Sequence, residues 1–243
     1  TRVRSSAASD VYKRQDMMTE PPESKLKEKV RATAYPTQER NGIIWAYMGP
    51  RQEPPPLPEF EANMVPQERA KLFVTLGYYN WLQAIENNMD TAHNAILHHG
   101  TVKPEDAKVL GATYFEGPDV LRWMVSDRAP RFDIRDTDYG AVSAAYRNTD
   151  DGQTYWRTMN WLWPFYTQSP TSELGSTALM FATVPVDDNH CMIFGLIARV
   201  GPGRSMFDSI ETDAYTGTGR PSLPNTSDWL GRFRDPLLSL IHI

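Results

Sequence analysis

The chain has 243 residues, with Lys+Arg 25 against Asp+Glu 30, and its net charge of −5 argues against a dedicated nucleic-acid binder. Hydrophobic residues make up 40%, enough to bury a core and to exclude a wholly disordered chain. One cysteine, Cys191, excludes an internal disulfide framework, a multi-cysteine zinc site and an iron–sulfur cluster held by two or more thiolates of this chain.

The multi-ligand metal site left open is one of histidine and carboxylate, and three of the five histidines (His93, His98, His99) lie within seven residues. No apolar run reaches the ~18 residues of a membrane span, so no membrane partner is expected. The first fifteen residues are polar and basic, unlike a secretory signal, and the expected compartment is the cytoplasm.

In chain order, residues 1–15 and 236–243 read as non-native ends, resembling translated adaptor text rather than folded sequence. Val30–Tyr35 and Ile43–Met48 flank Asn41-Gly42, the signature of a tight hairpin turn. Residues 49–60 carry Pro54, Pro55, Pro56 and Pro58 and predict a stiff, extended connector. A strand is expected at Phe73–Tyr78. The spacing of Trp81, Ile85, Met89, Ala92 and Ile96 then predicts a helix over Trp81–His99, with Asn80 as N-cap and Gly100 as stop.

Beyond the helix the period falls to two. Strands are expected at Val109–Phe115, Val120–Val125, Ala141–Arg147, Thr154–Leu162, Ala178–Val186 and Cys191–Val200, most of them separated by turn signals. With no helical pattern between them they imply an antiparallel sheet, and with the helix an α+β fold.

The helix carries Glu86, Asp90, His93, His98 and His99. Asp90 and His93 share a face, about 60° apart, but His93 and His98 are about 140° apart on an ideal α-helix. They converge on one ion only if the helix ends, bulges or loosens between them, and spacing alone does not choose between His98 and His99. Two neutral imidazoles with a carboxylate form the facial triad of non-haem Fe(II) oxygenases, and the same donors suit zinc or manganese. Read from spacing alone, the histidines serve equally well as solvated residues at a helix end.

The stretch Asn80-Trp81-Leu82-Gln83-Ala84-Ile85-Glu86, with Asp90-Thr91-Ala92-His93 and Leu97-His98, resembles the iron-binding helix of Rieske non-haem iron aromatic-ring-hydroxylating oxygenases, large (alpha) subunit, in the phthalate dioxygenase-like branch. The likeness runs from about Met18 to Phe233. It implies that residues 16–60 are the tail of a Rieske domain plus connector, and that residues 61–235 are a helix-grip catalytic domain, incomplete at its C-terminus.

On this resemblance His93 and His98 are the iron ligands and His99 is not. Asp90 is the catalytic aspartate that hydrogen-bonds a ligand histidine and carries electron transfer between subunits, and Glu86 is an acidic residue nearby. The implied cofactors are Fe(2+) and a [2Fe-2S] cluster whose ligands are absent from this chain. The third iron ligand is not identified, since Asp208, Asp213 and Asp228 do not match the motif.

The implied reaction uses O2, an aromatic substrate and electrons from NAD(P)H through a reductase, in a homotrimer. Alternation in Thr154–Leu162 puts Tyr155, Arg157, Met159 and Trp161 on one face, where Arg157 is a candidate partner for a substrate carboxylate; Arg122, Arg128 and Arg131 are rivals. Cys191 reads as a small core residue. The competing functions are a non-catalytic binding module for an apolar ligand and a zinc-dependent hydrolase.

Overall fold

The computed structural model describes residues 21, 23–25, 34–111, 117–170, 174–203 and 205–209. The two chain ends, and with them Asp213 and Asp228, lie outside the described residues, as does the start of the expected first strand. The chain divides into two compact units, residues 1–59 and 60–243.

The first unit holds a hairpin of β1 (Thr37–Arg40) and β2 (Ile43–Ala46), paired antiparallel. Its turn is the expected Asn41-Gly42. Both residues have positive φ, 52° and 80°, which suits the primed turn that matches strand twist. The first strand starts later than expected: Ala34 and Tyr35 are not paired, and the polar run Thr37–Arg40 takes the register that the turn dictates. Residues 51–59, with their prolines, form no helix or strand.

The second unit is built on a seven-stranded antiparallel sheet in the order β3-β9-β8-β7-β6-β5-β4. The strands are β3 (Ala70–Gly77), β4 (Arg131–Thr137), β5 (Gly140–Asn148), β6 (Thr154–Leu162), β7 (Tyr166–Ser169), β8 (Thr177–Pro185) and β9 (Cys191–Arg199). Six consecutive strands make a meander, and β3 closes onto the last of them along its whole length. With the packed helices this is the α+β architecture expected. Phe60 anchors the start of the unit, buried among Ala62, Ala178, Met180, Leu196 and Ala198. Cys191 is fully buried in β9, as a core residue.

Two expected strands are helices. Val120–Val125 falls inside α3 (Pro118–Ser126), and Val109–Leu110 ends the short α2 (Ala107–Leu110), while residues 112–116 are not among those described. The cause is a short apolar run that satisfies both periods. Pro118 at the first helical position starts a helix, and Leu121, Met124 and Val125 then bury together against Ala95 and Ala107. Full burial of such side chains contributes about 1.5–3 kcal/mol each.

Two strands were not anticipated. Edge strand β4 (RFDIRDT) is mostly charged and exposed, which blunts an edge against further pairing, and β7 has only four residues.

The expected helix over Trp81–His99 is broken. Helix α1 (Trp81–Met89) is capped as expected, with Asn80 Oδ1 accepting from the Leu82 N–H at 2.9 Å. It ends at Asp90, which is extended (φ −82°, ψ 123°), and a second segment runs from Ala92 into a π turn at Asn94–His98. The apolar stripe fails with it: Ile96 is 56% exposed, while Thr91 and Ala95 are fully buried. Helix α1 packs on β6, β7 and β8. No helix among the described residues is long and apolar enough to cross a membrane.

Candidate metal centre

The break at Asp90 is made by Asp90 itself. Its Oδ1 accepts from the Ala92 N–H at 2.7 Å and its Oδ2 from the His93 N–H at 3.1 Å, so the carboxylate caps the second segment as an N-cap aspartate does. The same Oδ2 lies 3.2 Å from His93 Nδ1. A carboxylate oxygen accepts, so the neutral His93 tautomer that fits this contact carries its proton on Nδ1 and its lone pair on Nε2. The Asp90 side chain keeps 42% of its exposure and the His93 side chain 17%.

The π turn does what an α-helix cannot. The His99 N–H bonds to the Asn94 carbonyl at 3.1 Å, an i→i+5 closure, which brings residues five apart onto one side. The His93 and His98 rings lie 5.2 Å apart, centroid to centroid, at 61°. Partial burial, and then the neighbouring His93, hold His98 below its ordinary value of 6.5, which favours the neutral imidazole that metals require. His99 is the C-cap of the turn, with its ring 6.3 Å from that of His98. At Gly100 a Cβ would meet the Ile96 carbonyl oxygen at 2.3 Å, so the chain leaves the turn where a side chain does not fit.

A buried cation braces this segment. Arg147 is fully buried on β5, donating from Nε to the Asp127 carbonyl at 2.8 Å and from Nη2 to the Thr91 carbonyl at 3.3 Å. Burial lowers its pKa, and Tyr155, Asp127 and Asp90 act against that. It was not singled out from sequence, although it falls in phase with Ser143 and Ala145, the other buried positions of its strand.

Asp90 thus contacts His93 and His93 neighbours His98, and Glu86 stands exposed one turn before them, its carbonyl accepting the Asp90 N–H at 3.0 Å. Arg157 lies on the helix-facing side of β6, 7% exposed, with Nη2 donating to the Pro170 carbonyl at 3.1 Å. Among its rivals, Arg122 pairs with Asp119 and Asp150, Arg131 approaches Asp127 at 3.8 Å and lies over the Tyr146 ring, and Arg128 binds backbone carbonyls.

Asp208 is exposed and ion-paired with Arg199. His190 sits in the β8–β9 hairpin turn and contacts Asp187 at 2.8 Å. Among the described residues no three or more His, Cys, Asp or Glu gather as a metal cluster. With one cysteine, and that buried in β9, the chain does not fit a [2Fe-2S] cluster.

Residues 46–216 match the family described as LigXa C-terminal domain like. Among curated proteins the chain is similar to the 3-chlorobenzoate-3,4-dioxygenase oxygenase subunit of Comamonas testosteroni, 30% identical over 90% of this chain and 50% of the relative. It is also similar to the tert-butanol monooxygenase / tert-amyl alcohol desaturase oxygenase subunit of Aquincola tertiaricarbonis, at 35% over 72% and 38%. The phthalate 4,5-dioxygenase oxygenase subunit of Pseudomonas putida is 32% identical over 74% of this chain and 40% of its own. The chain spans half or less of the length of these relatives. The family match extends over more than half of the chain, and on it the chain belongs to the Rieske-type oxygenase alpha subunits.

Proposed function

We propose that this chain is the iron-binding part of an oxygenase that hydroxylates or dihydroxylates an aromatic, carboxylated substrate, with His93 and His98 holding Fe(II). The observation that carries this reading is the π turn that sets the two imidazoles 5.2 Å apart, while Asp90 engages Nδ1 of one of them. Two neutral nitrogen donors on one side leave room for a third ligand and for open positions, as non-haem iron sites need. Bound Fe(II) supplies the chemistry with O2; the residues of this chain do the rest.

In this reading Asp90 orients His93 and fixes its tautomer, the role of an outer carboxylate beside a metal-bound histidine. Its remaining exposure suits a group at a subunit boundary, through which electrons from a neighbouring [2Fe-2S] cluster would pass in a homotrimer. Glu86 extends that acidic face. The [2Fe-2S] cluster and the reductase that draws on NAD(P)H lie outside this chain, and the third iron ligand is left unassigned. The proposed compartment remains the cytoplasm. The proposed domain division is the tail of a Rieske domain at residues 16–60 and a catalytic domain from residue 61.

The relatives named above are oxygenase subunits, which favours redox chemistry over a zinc hydrolase or a passive binding module. Two of them act on aromatic carboxylates by name and one on a tertiary alcohol. Arg157 is proposed as the carboxylate partner because it stands among Tyr155 and Met159 on the covered face of β6. The test is substrate-dependent NADH and O2 consumption by an oxygenase subunit that carries this segment, supplied with its reductase. Benzoate should drive turnover, toluene should do so more weakly, and Arg157→Met should remove the difference. Equal turnover of both by the parent contradicts the carboxylate assignment, and full activity in His93→Ala contradicts the iron assignment.

A further inference from the structure

We infer that Arg128 is a positioning residue for the histidine pair: its guanidinium holds the π turn that brings His93 and His98 together. In an unbroken α-helix the His99 N–H would bond to the Ala95 carbonyl, four residues back. Here it bonds to Asn94, so the Ala95 carbonyl loses its usual donor. Ala95 is fully buried, and water does not replace that donor.

Arg128 Nη1 donates to the Ala95 carbonyl and, at 3.1 Å, to the His99 carbonyl, while Nη2 donates to the Val102 carbonyl at 2.6 Å. One cation thus gathers three carbonyls at the C-terminal end of the segment, where a positive charge is also favoured by the backbone dipoles. The fork geometry matters, because one nitrogen serves carbonyls within and at the end of the turn while the other serves the carbonyl of Val102 beyond it.

Without this support the segment's alternative is an α-helix, in which residues five apart point about 140° from each other. Arg128 follows α3 by two residues, and α3 packs on the turn through Leu121, Met124 and Val125 against Ala95. Arg147 binds the carbonyl of the adjacent Asp127 together with that of Thr91, so the α3 exit is tied to both ends of the histidine segment. Arg128 acts on the site through the backbone carbonyls.

The inference rests on the proposed histidine-ligand reading for its consequence, and not for the turn itself. The test therefore has two arms, run on the full chain with Co(II) as probe. The first reads Co(II) affinity and its visible spectrum in the parent, Arg128→Met, Arg128→Lys and His93→Ala. The second reads hydrogen exchange at the His99 amide against amides of β8 and β9.

Arg128→Met should bind Co(II) at least 10-fold more weakly, with a changed spectrum. Its His99 amide should exchange at least 10-fold faster while β8 and β9 are unchanged, and Arg128→Lys should recover part of both. Unchanged affinity and unchanged His99 protection in Arg128→Met overturn the inference, as does a loss of protection spread equally over β8 and β9 in both Arg128 variants. If His93→Ala binds Co(II) like the parent, the ligand reading fails, and the exchange arm still decides for or against Arg128.

Discussion

Replacing Asp90 separates two roles that one carboxylate fills. Asp90→Ala removes the acceptors of the Ala92 and His93 N–H groups, 2.7 and 3.1 Å away, and the partner of His93 Nδ1 at 3.2 Å. Loss of an N-cap costs about 0.5–2 kcal/mol. For a chain of this size about 1.5 kcal/mol lowers Tm by roughly 3–6 °C.

Asp90→Asn behaves differently. Asparagine caps a helix as well as aspartate, so stability should stay within about 0.5 kcal/mol of the parent. An amide, however, offers one acceptor oxygen where the carboxylate offered two, and the His93 Nδ1–H contact is lost or weakened. Removing such an outer partner costs about 10–100-fold in metal affinity, equivalent to about 1.4–2.7 kcal/mol. Thermal melts and Fe(II) titration on the two variants measure both quantities. A variant Asp90→Asn that binds Fe(II) as tightly as the parent refutes the orienting role, and an Asp90→Ala melt equal to the parent refutes the cap.

Two further outcomes follow from the same geometry. Gly100→Ala places a Cβ against the Ile96 carbonyl and should cost about 1–3 kcal/mol by overpacking while weakening metal binding, read by melting and titration; a neutral substitution contradicts the close approach. Arg147→Met leaves the Thr91 and Asp127 carbonyls without their donor and should cost about 2 kcal/mol by denaturant unfolding, whereas unchanged stability would mean that desolvation of the cation cancels its hydrogen bonds.

Burial pushes the Cys191 thiol up from 9.0 to about 11, so at pH 8 it should react with a thiol reagent about 100-fold more slowly than an ordinary cysteine. The sign for stability follows: a raised thiol pKa favours the folded state below pH 9, and that contribution fades as pH rises toward 11. Rapid labelling of the native chain at pH 8 contradicts this.

The sheet was legible where strands alternate cleanly and turns are marked. β6 lies at its expected bounds, and β8 and β9 within a residue of theirs, because a Gly, Pro, Asp or Asn stands two residues beyond each end. Edge strand β4 escaped because its residues are chosen to be charged rather than to alternate. The residues of α3 fit a strand as well as a helix because six apolar-rich residues satisfy either period, and the helix start is marked only by Pro118.

For the candidate site, the sequence shows the histidines and the aspartate but not the geometry that relates them. The spacing of His93 and His98 already required a departure from α-helix, yet nothing in Asn94–Leu97 announces a π turn. Its support comes from Arg128, 33 residues after Ala95, a tertiary contact that no local pattern carries. Asp90 as an internal cap was readable in principle, since Asp-Thr-Ala-His places an N-cap residue before the second segment, but the apolar stripe running past it argued for continuity.

The central claim is that the π turn makes His93 and His98, and not His99, a metal-binding pair. Anaerobic Fe(II) titration of His93→Ala, His98→Ala and His99→Ala in parallel tests it most directly. The account predicts that the first two lose affinity by at least 10-fold while His99→Ala stays within about twofold of the parent. Equal binding by all four proteins, or a loss confined to His99→Ala, would contradict it.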